Sequence, residues 1–173
     1  MSVKVVIPGP LTTVQDAGRY GYMNSGIGTS GVMDEVSYKK ANYLVGNENG
    51  EAVLEVTLFG GTMEFTEDAV IAVTGATMDV KINEKPTEMY RAYQVKAGDI
   101  LSLGMVTAGC RTYVAFAGGI DVPVVLGSRS TNLKCKMGGY EGRALAAGDI
   151  FEIGKNGRSY EALKDRMAKP DVY

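Results

Sequence analysis

The sequence predicts a mainly β protein, either a barrel or a sandwich. Its 173 residues include 23 glycines, which separate short runs of β-branched and aromatic residues. Short strands divided by glycine-rich turns are typical of such β architectures. Within the runs, apolar and polar side chains alternate, as they do in half-buried strands. We predict strands at 3–7, 52–58, 62–65, 69–74, 78–82, 88–94, 99–103, 110–117 and 150–153.

Two kinds of turn connect these strands. Asn83-Glu84 lies between two strand-like runs and predicts a tight hairpin. The tripeptide Ala-Gly-Asp occurs at 97–99 and again at 147–149, each time before an alternating run. Its glycine suits a turn position with positive φ. The two copies therefore predict two equivalent hairpins of one barrel.

One short helix is predicted at 35–45. Asp34 is placed to cap its first backbone amides, and Gly46 is placed to end it in the left-handed conformation. The apolar positions predict a buried stripe on one face of the helix. This stripe comprises Val36, Ala41, Leu44 and Val45.

The chain has the length of one domain with a short tail. We assign residues 1–155 to the barrel domain and residues 156–173 to a charged tail or the start of an interdomain linker. A short helix is predicted at 159–169, before Pro170.

Charge and hydropathy exclude several classes of protein. The 18 basic and 20 acidic residues nearly balance, so the chain lacks the basic field of a nucleic-acid-binding protein. No apolar run is long enough to cross a bilayer, and the N-terminus reads as a strand rather than a signal peptide. We expect a soluble cytoplasmic protein, in which Cys110 and Cys135 are small apolar fillers.

The chain contains no histidine. This excludes a serine–histidine triad, a histidine zinc site and a histidine general base within it. We predict no metal site. Any catalysis must use carboxylates, lysine, arginine, hydroxyls or tyrosine, or groups of another chain.

A polar segment at 12–19, predicted to be a loop, carries Asp16 and Arg19. Asp16 is a candidate to orient a substrate or accept a proton, and Arg19 is a candidate to clamp a carboxylate or phosphate. Alternatively, the two side chains pair with each other or satisfy backbone groups of the loop.

The segment 109–131 begins as a strand that includes Arg111, breaks at Gly118-Gly119 and ends in a polar loop. The end of the loop, Ser128-Arg129-Ser130-Thr131, sets one cation among three hydroxyl groups. Binding and catalytic groups are frequent on loops held by rigid strands; an ordinary surface turn is the alternative. Arg143 follows another glycine-rich turn. Together, Arg19, Arg111, Arg129 and Arg143 favour an anionic or carboxylate-bearing ligand.

Two further polar sites have both structural and functional interpretations. The segment 28–34 precedes the helix and is rich in glycine and hydroxyl residues, which can cradle an anion. It lacks the lysine of a nucleotide P-loop, so Asp34 is more simply a helix cap. Asn42 lies within the helix, where asparagine needs either a hydrogen bond or exposure to solvent.

Several segments, in their order along the chain, resemble the biotin-dependent carboxyltransferase or allophanate hydrolase subunit 2 family. The family includes the C component of 5-oxoprolinase and the regulator KipA. The ordered set is more specific than any one motif, and it covers most of the chain from 11 to 150. The matching stretches are 12–21 (Thr-Thr-Val-Gln-Asp-x-Gly-Arg-x-Gly), 30–34, 41–47, 54–60, 74–76, 109–131 and 138–149.

The resemblance implies a cyclophilin-like closed β-barrel, one half of a two-barrel subunit that works with a KipI-like partner. In the 5-oxoprolinase branch, a third subunit joins them and ATP drives the opening of 5-oxo-L-proline to glutamate. In the urea carboxylase branch, carboxyl passes from carboxybiotin to urea. In KipA, the implied role is to counter a kinase inhibitor. Biotin belongs only to the carboxylase alternative, and ATP would act at the level of the complex.

Residue type and motif membership together predict which residues form the active site. Asp16, Asp34 and Arg129 are the candidate catalytic residues of a hydrolase acting on a small amide or lactam. The chain ends where the second half of the family would begin, so we expect little activity from it alone. The candidate substrate-binding residues are Arg19, Asn42, Arg111, Ser128, Ser130, Thr131 and Arg143.

Overall fold

Ten strands form one sheet in a computed structural model, which describes residues 1–48, 50–155 and 158–170. The sheet nearly closes into a barrel, and one α-helix packs outside it, so the mainly β fold with a short helix is confirmed. The helix is α1 (Glu35–Leu44). The strands are β1 (Ser2–Ile7), β2 (Thr12–Gln15), β3 (Val53–Thr57), β4 (Phe59–Phe65), β5 (Ala69–Ile82), β6 (Lys85–Thr87), β7 (Ala92–Val95), β8 (Ile100–Phe116), β9 (Ile120–Asp121) and β10 (Ile150–Ile153).

Strand β8 is the centre of the sheet. It pairs antiparallel with β5 along one edge and with β4 and then β3 along the other. The main path through the sheet runs β2-β3-β8-β4-β1-β10-β9, and β6 and β7 pair with β5. Because β2 and β9 end this path, irregular segments cover the space between them. Two backbone bonds onto β2 fasten these segments, from Thr131 N to Val14 O at 2.9 Å and from Leu145 N to Thr12 O at 2.9 Å.

The barrel interior is filled by one apolar cluster. Alternate residues of the strands point inward, as the pleat requires. Three aromatic rings meet at its centre: Phe116 lies 6.4 Å from Phe65 and 5.6 Å from Phe151 between ring centroids. Offset and edge-on arrangements of this kind stabilise aromatic cores.

Helix α1 covers the outer face of β3, β5 and β8. Asp34 caps it, since Oδ1 accepts hydrogen bonds from the backbone amides of Val36 and Ser37, each at 3.0 Å. Gly46, with φ of 73°, follows the helix in the left-handed conformation, as predicted. Ala41, Leu44 and Val45 are buried, but Val36 is 56% exposed and was wrongly assigned to the buried stripe. Tyr38, two residues further along the helix, is buried instead.

The predicted turns are present. Asn83 and Glu84 both have positive φ, which is the geometry of a type I′ hairpin turn. Gly98 and Gly148, in the two Ala-Gly-Asp turns, have φ of 87° and 90°. The carboxylate of each following aspartate accepts a backbone amide three residues earlier, which explains why the tripeptide recurs.

The structure corrects several predicted elements. Thr12–Gln15 is a strand, not a loop, and its residues are buried. The predicted strands 69–74 and 78–82 are one strand, β5, interrupted by bulges, and 99–103 and 110–117 are parts of β8. Of the predicted strand 88–94, only the second half forms a strand, which is part of β7. Cys110 and Cys135 are both exposed free thiols rather than buried fillers.

The end of the described chain lies on the barrel and on α1. In place of the predicted helix 159–169 there is a single 3₁₀ turn, Tyr160–Ala162. Leu163 is fully buried against Gly46. Arg166 lies over the ring of Tyr43, and Ala168 N bonds to Tyr90 O at 3.1 Å. The assignment of 156–173 to a tail or linker stays a prediction; residues 156–157 and 171–173 lie outside the described residues.

Leu163 is expected to anchor this segment. Leu163→Ala should lower the free energy of unfolding by about 2–4 kcal/mol, because it removes a buried side chain and leaves a void. Denaturant titration measures this. Met167→Ala is the matched control: its side chain is 62% exposed, so the change should stay within about 0.5 kcal/mol. Equal, small effects would show that 158–170 contributes nothing to the stability of the barrel.

Within the described residues, no helix combines the length and apolar character needed to span a membrane.

Candidate functional site

The end of β2 lies against residues 125–131, hereafter the arginine loop. Thr131 donates its Oγ1 hydroxyl to Val14 O at 2.8 Å, in addition to its backbone bond to the same oxygen. The amide of Gln15 donates to Thr131 O at 3.2 Å. Because β2 is a strand, its last residues are fixed in direction, and the predicted site residues that follow it meet the arginine loop.

Asp16 binds the arginine loop through its carboxylate. Oδ1 accepts hydrogen bonds from Ser128 Oγ at 2.6 Å, from Ser130 Oγ at 2.5 Å and from Gly18 N at 2.9 Å. Oδ2 accepts one bond, from the backbone amide of Arg129 at 2.5 Å. Only 7% of Asp16 is exposed. The loop thus wraps its hydroxyl groups and one amide around a carboxylate of the same chain.

Arg19 binds the same loop from within the protein. Its side chain is fully buried. Nε donates to Val125 O at 2.9 Å and Nη2 donates to Ser130 O at 3.0 Å, while Nη1 has no hydrogen-bond partner among the described residues. The two candidates of the 12–19 segment therefore do not bond to each other. Both satisfy groups of the arginine loop, which is the alternative that the sequence left open.

Gly138 and Gly139 pack behind the arginine loop. Gly139 N donates to Arg129 O at 2.9 Å. A Cβ on Gly138 would lie 2.2 Å from Ser130 O, so only glycine allows this approach. The glycine-rich turn thus serves as a backbone support for the loop.

Arg129 presents the least satisfied cation of the loop. Its Nε donates to Val122 O at 3.2 Å, and neither Nη atom bonds to any residue that the structure describes. The side chain is half-buried, whereas Ser128 and Ser130 on either side of it are buried. The guanidinium therefore retains two donor nitrogens for an anionic or carbonyl group, and a planar guanidinium suits such groups.

Hydrogen bonding lowers the pKa of Asp16. Burial alone would raise the pKa, since it disfavours the charged form, but the bonds from Ser128, Ser130, Arg129 and Gly18 outweigh it. The carboxylate is thus held in its charged form well below neutral pH.

A lowered pKa in the folded state makes stability depend on pH. The stabilisation is complete above the unfolded-state pKa of about 3.9 and is lost as pH falls through the lower folded-state pKa. We therefore expect the unfolding free energy of the wild type to fall more steeply between about pH 5 and about pH 3 than that of Asp16→Asn. Denaturant titrations across this range measure the difference. Parallel curves would contradict it.

Asp34, the second candidate catalytic residue, belongs to a different cluster. Besides capping α1, it accepts the Ser37 hydroxyl at 2.7 Å on Oδ2, and its backbone amide donates to Tyr113 Oη at 2.8 Å. Tyr113 in turn donates to Glu55 Oε2 at 2.9 Å. Burial, together with the negative charge of Glu55, raises the pKa of Tyr113. No hydrogen bond within the described residues joins this cluster to the arginine loop.

Arg111 lies at the outer edge of that second cluster. Its Nε is 3.6 Å from Glu55 Oε1, and Nη1 donates to the sulfur of Cys110 at 2.9 Å. Arg111 lies on the same face of β8 as Tyr113 and Ala115, which is the outer face of the barrel. The predicted grouping of four arginines is therefore not found: no contact in the described residues unites Arg111 with Arg129.

Asn42 and Arg143 also lie apart from the arginine loop. Asn42 is buried; it donates to Glu51 O at 3.1 Å and accepts from Asn47 Nδ2 at 2.7 Å, so it has the hydrogen bonds that a helical asparagine needs. Arg143 forms two bonds to the Asp149 carboxylate, at 2.7 and 2.9 Å. Its charge is thereby balanced within the Ala-Gly-Asp turn.

Sequence reasoning missed three polar residues. Gln15, Glu55 and Tyr113 are buried and connect strands to the loop before α1. All three residues stood within the matching motifs. For Glu55 and Tyr113, the available signal was a polar side chain inside a predicted strand, because buried polar groups need partners. Gln15 gave no such signal, since its segment was predicted to be a loop.

A groove adjoins the arginine loop. It has a volume of about 480 Å³ and lies between β9, β10 and the turn at 136–142. Val122, Val125 and Met137 contribute its apolar walls, while Lys136 and Glu141 stand at its polar rim. In the part of the chain that the structure describes, no three thiol or carboxylate groups are grouped so that they could hold a metal ion.

The chain matches the family model described as carboxyltransferase domain, subdomain A and B, over residues 25–172. Because this match covers most of the chain, the protein belongs to that family. The resemblance drawn from the ordered motifs is thereby confirmed at the level of the family.

Individual relatives divide between two kinds of enzyme. The chain is 45% identical to urea amidolyase of Lachancea kluyveri over 170 residues, which are 98% of this chain and 9% of that protein. It is 44% identical to the C component of 5-oxoprolinase from Escherichia coli over 156 residues, which are 90% of this chain and 50% of that protein. The crystal structure of the urea amidolyase of Kluyveromyces lactis superposes with a TM-score of 0.87 at 42% identity, covering 99% of this chain and 10% of that one. The chain thus spans half or less of the length of these relatives.

Proposed function

We propose that this chain is a domain of an ATP-dependent 5-oxoprolinase that opens 5-oxo-L-proline to L-glutamate. It would act in the cytoplasm with a KipI-like subunit and a third 5-oxoprolinase subunit. The similarity to the C component of 5-oxoprolinase supports the substrate class. The observation that carries the proposal is the guanidinium of Arg129, whose two Nη atoms have no partner among the described residues on a loop held at several points.

A cation in this position suits the chemistry of a lactam. The lactam carbonyl is a poor electrophile, so the reaction needs negative charge on the carbonyl oxygen to be stabilised. ATP, acting at the level of the complex, would supply the activation. Arg129 would donate to the charged oxygen or to the substrate carboxylate, and the firmly held loop would keep the guanidinium in place.

The carboxylates are less suited to contact the substrate. Four donors occupy the carboxylate of Asp16, and Asp34 holds the start of α1. Since the chain contains no histidine, a general base would come from another group or another subunit. This supports a binding and charge-stabilising role for the domain within the complex.

The test is Arg129→Ala in the full reading frame, co-expressed with its partner subunits. ATP-dependent release of glutamate from 5-oxoproline should fall by about 10²- to 10³-fold, as it does when one donor to a developing oxyanion is removed. Arg91→Ala is the matched control, because the Arg91 side chain is 40% exposed and forms an ion pair only with Glu88 in the described residues. Unchanged turnover in Arg129→Ala would refute the assignment.

Carboxyl transfer from carboxybiotin to urea is the second candidate. Two urea amidolyases match 96–98% of this chain, against 90% for the C component of 5-oxoprolinase from Escherichia coli, which favours it. The same preparation would then carboxylate urea in the presence of a carrier that bears carboxybiotin, with biotin as the leaving group, and avidin would stop the reaction. A complex that forms with the KipI-like subunit but turns over neither substrate would instead indicate a regulatory module.

A further inference from the structure

We infer that Asp16 is a positioning residue for Arg129: its Oδ2 holds the Arg129 backbone amide and thereby directs the guanidinium toward the substrate. Asp16 would thus orient Arg129 instead of transferring a proton, which is the role that its residue type suggested. The activity test of this inference rests on the proposed function, whereas its structural test does not.

The bonding of Asp16 leaves little capacity for accepting a proton. Four donors approach its two oxygens, and a carboxylate offers about four acceptor sites. These bonds stabilise the charged form of the carboxylate, so transfer of a proton to it is disfavoured. The residue is also 93% buried, since its exposed fraction is 7%. The four bonds favour a carboxylate that remains charged, and burial restricts its contact with substrate.

The two oxygens of Asp16 have different tasks. Oδ1 receives Ser128, Ser130 and Gly18, and so holds the flanks of the loop. Oδ2 receives only the amide of Arg129. One bond therefore connects this carboxylate directly to the residue whose side chain retains unused donors.

Arg129 is held by three hydrogen bonds, two to its backbone and one to its side-chain Nε. Its backbone amide bonds to Asp16, its carbonyl accepts Gly139 N at 2.9 Å, and its Nε donates to Val122 O at 3.2 Å. Only the Nη atoms are left without partners in the described residues. A guanidinium oriented in advance loses less entropy on binding than a mobile one. Misplacement by about 1 Å can reduce a reaction rate by about 10²-fold.

Asp16→Asn distinguishes the role of Oδ1, which holds the flanks of the loop, from that of Oδ2, which holds the Arg129 amide. The amide oxygen can replace Oδ1 and keep the three bonds there, which places the NH₂ group where Oδ2 was. This NH₂ group then faces another donor, the Arg129 N–H. The variant therefore breaks the bond to Arg129 selectively while retaining most of the support of the loop.

Hydrogen–deuterium exchange tests the structural part. In Asp16→Asn, the amides of peptides covering 126–131 should exchange about 10-fold faster, because a bonded amide has become free to open locally. Peptides from β8 should be unchanged. Asp99→Asn is the matched control: Asp99 also holds a backbone amide, that of Lys96, but in a distant Ala-Gly-Asp turn. Unchanged exchange at 126–131 would overturn the inference.

A double-mutant cycle in the full complex tests the functional part. In the background that retains Arg129, Asp16→Asn should lower kcat/KM for 5-oxoproline by about 10- to 100-fold. In the Arg129→Ala background the same substitution should lower it by less than about 2-fold, since the effects of substitutions at coupled residues do not add. Asp99→Asn should have no effect in either background. Equal losses in both backgrounds, or loss of a basic group from the pH–rate profile in Asp16→Asn, would overturn the inference. A wild-type complex without turnover would refute the proposed function and leave exchange at 126–131 to decide the role of Asp16.

Discussion

Arg19→Ala should lower the free energy of unfolding by about 3 kcal/mol or more. The substitution leaves the carbonyl of Ser130 without a donor, which costs about 1–3 kcal/mol, and removes one of the two donors to Val125 O. It also leaves a void where a fully buried side chain stood. Relief from burying a charge offsets part of this loss, because Nη1 has no partner in the described residues. Denaturant titration at neutral pH measures the net effect.

Two further variants divide that effect into its parts. Arg19→Met preserves most of the volume but neither hydrogen bond, so its loss should be smaller than that of Arg19→Ala. Arg91→Ala, which removes a surface arginine whose side chain is 40% exposed, should stay within about 0.5 kcal/mol of the wild type. A more stable Arg19→Met would show that burial of the charge costs more than the two bonds contribute.

Gly138→Ala should be at least as damaging, for a different reason. At φ of 66° an L-residue is strained by about 1–2 kcal/mol. The new methyl group would also collide with Ser130 O at 2.2 Å and with Arg19 Nη2 at 2.6 Å. We expect a total loss of about 3 kcal/mol or more, because neither the backbone nor the buried guanidinium can move away freely.

Gly148→Ala is the control for this substitution. Gly148 also has positive φ, at 90°, but a Cβ there would meet nothing within 4 Å. Its loss should therefore be limited to the backbone strain of about 1–2 kcal/mol. The difference between the two variants, measured by denaturant titration, isolates the collision with the arginine loop. Equal losses would mean that the loop can move aside.

Local chemistry made much of the fold predictable. The tight turn at Asn83-Glu84, the cap at Asp34 and the glycine after α1 all depend on residues within a few positions of one another. The strand at Thr12–Gln15 was missed because all four of its residues are buried and three of them are polar. An alternating pattern identifies only strands with one face in water.

The contacts of the candidate site were less predictable, because they join distant parts of the chain. The motifs singled out Asp16 and the residues from Ser128 to Thr131, which the structure brings into contact, but the bond from Ser128 to Asp16 spans 112 residues. Residue type alone could not show that Arg19 would be buried, that Arg143 would bind Asp149, or that Arg111 would face outward. Each of these outcomes depends on register and closure of the barrel.

The pairing of β1 has a consequence for synthesis of the protein. Ser2 pairs with Glu152, and Lys4 pairs with both Glu64 and Ile150. During synthesis, β4 therefore becomes available to β1 early, whereas β10 follows about 150 residues after β1. One edge of β1 therefore stays open while the chain emerges from the ribosome, and open strand edges invite pairing with other chains. Such non-local pairing also slows folding. Barrel completion must therefore wait until β10 has been made.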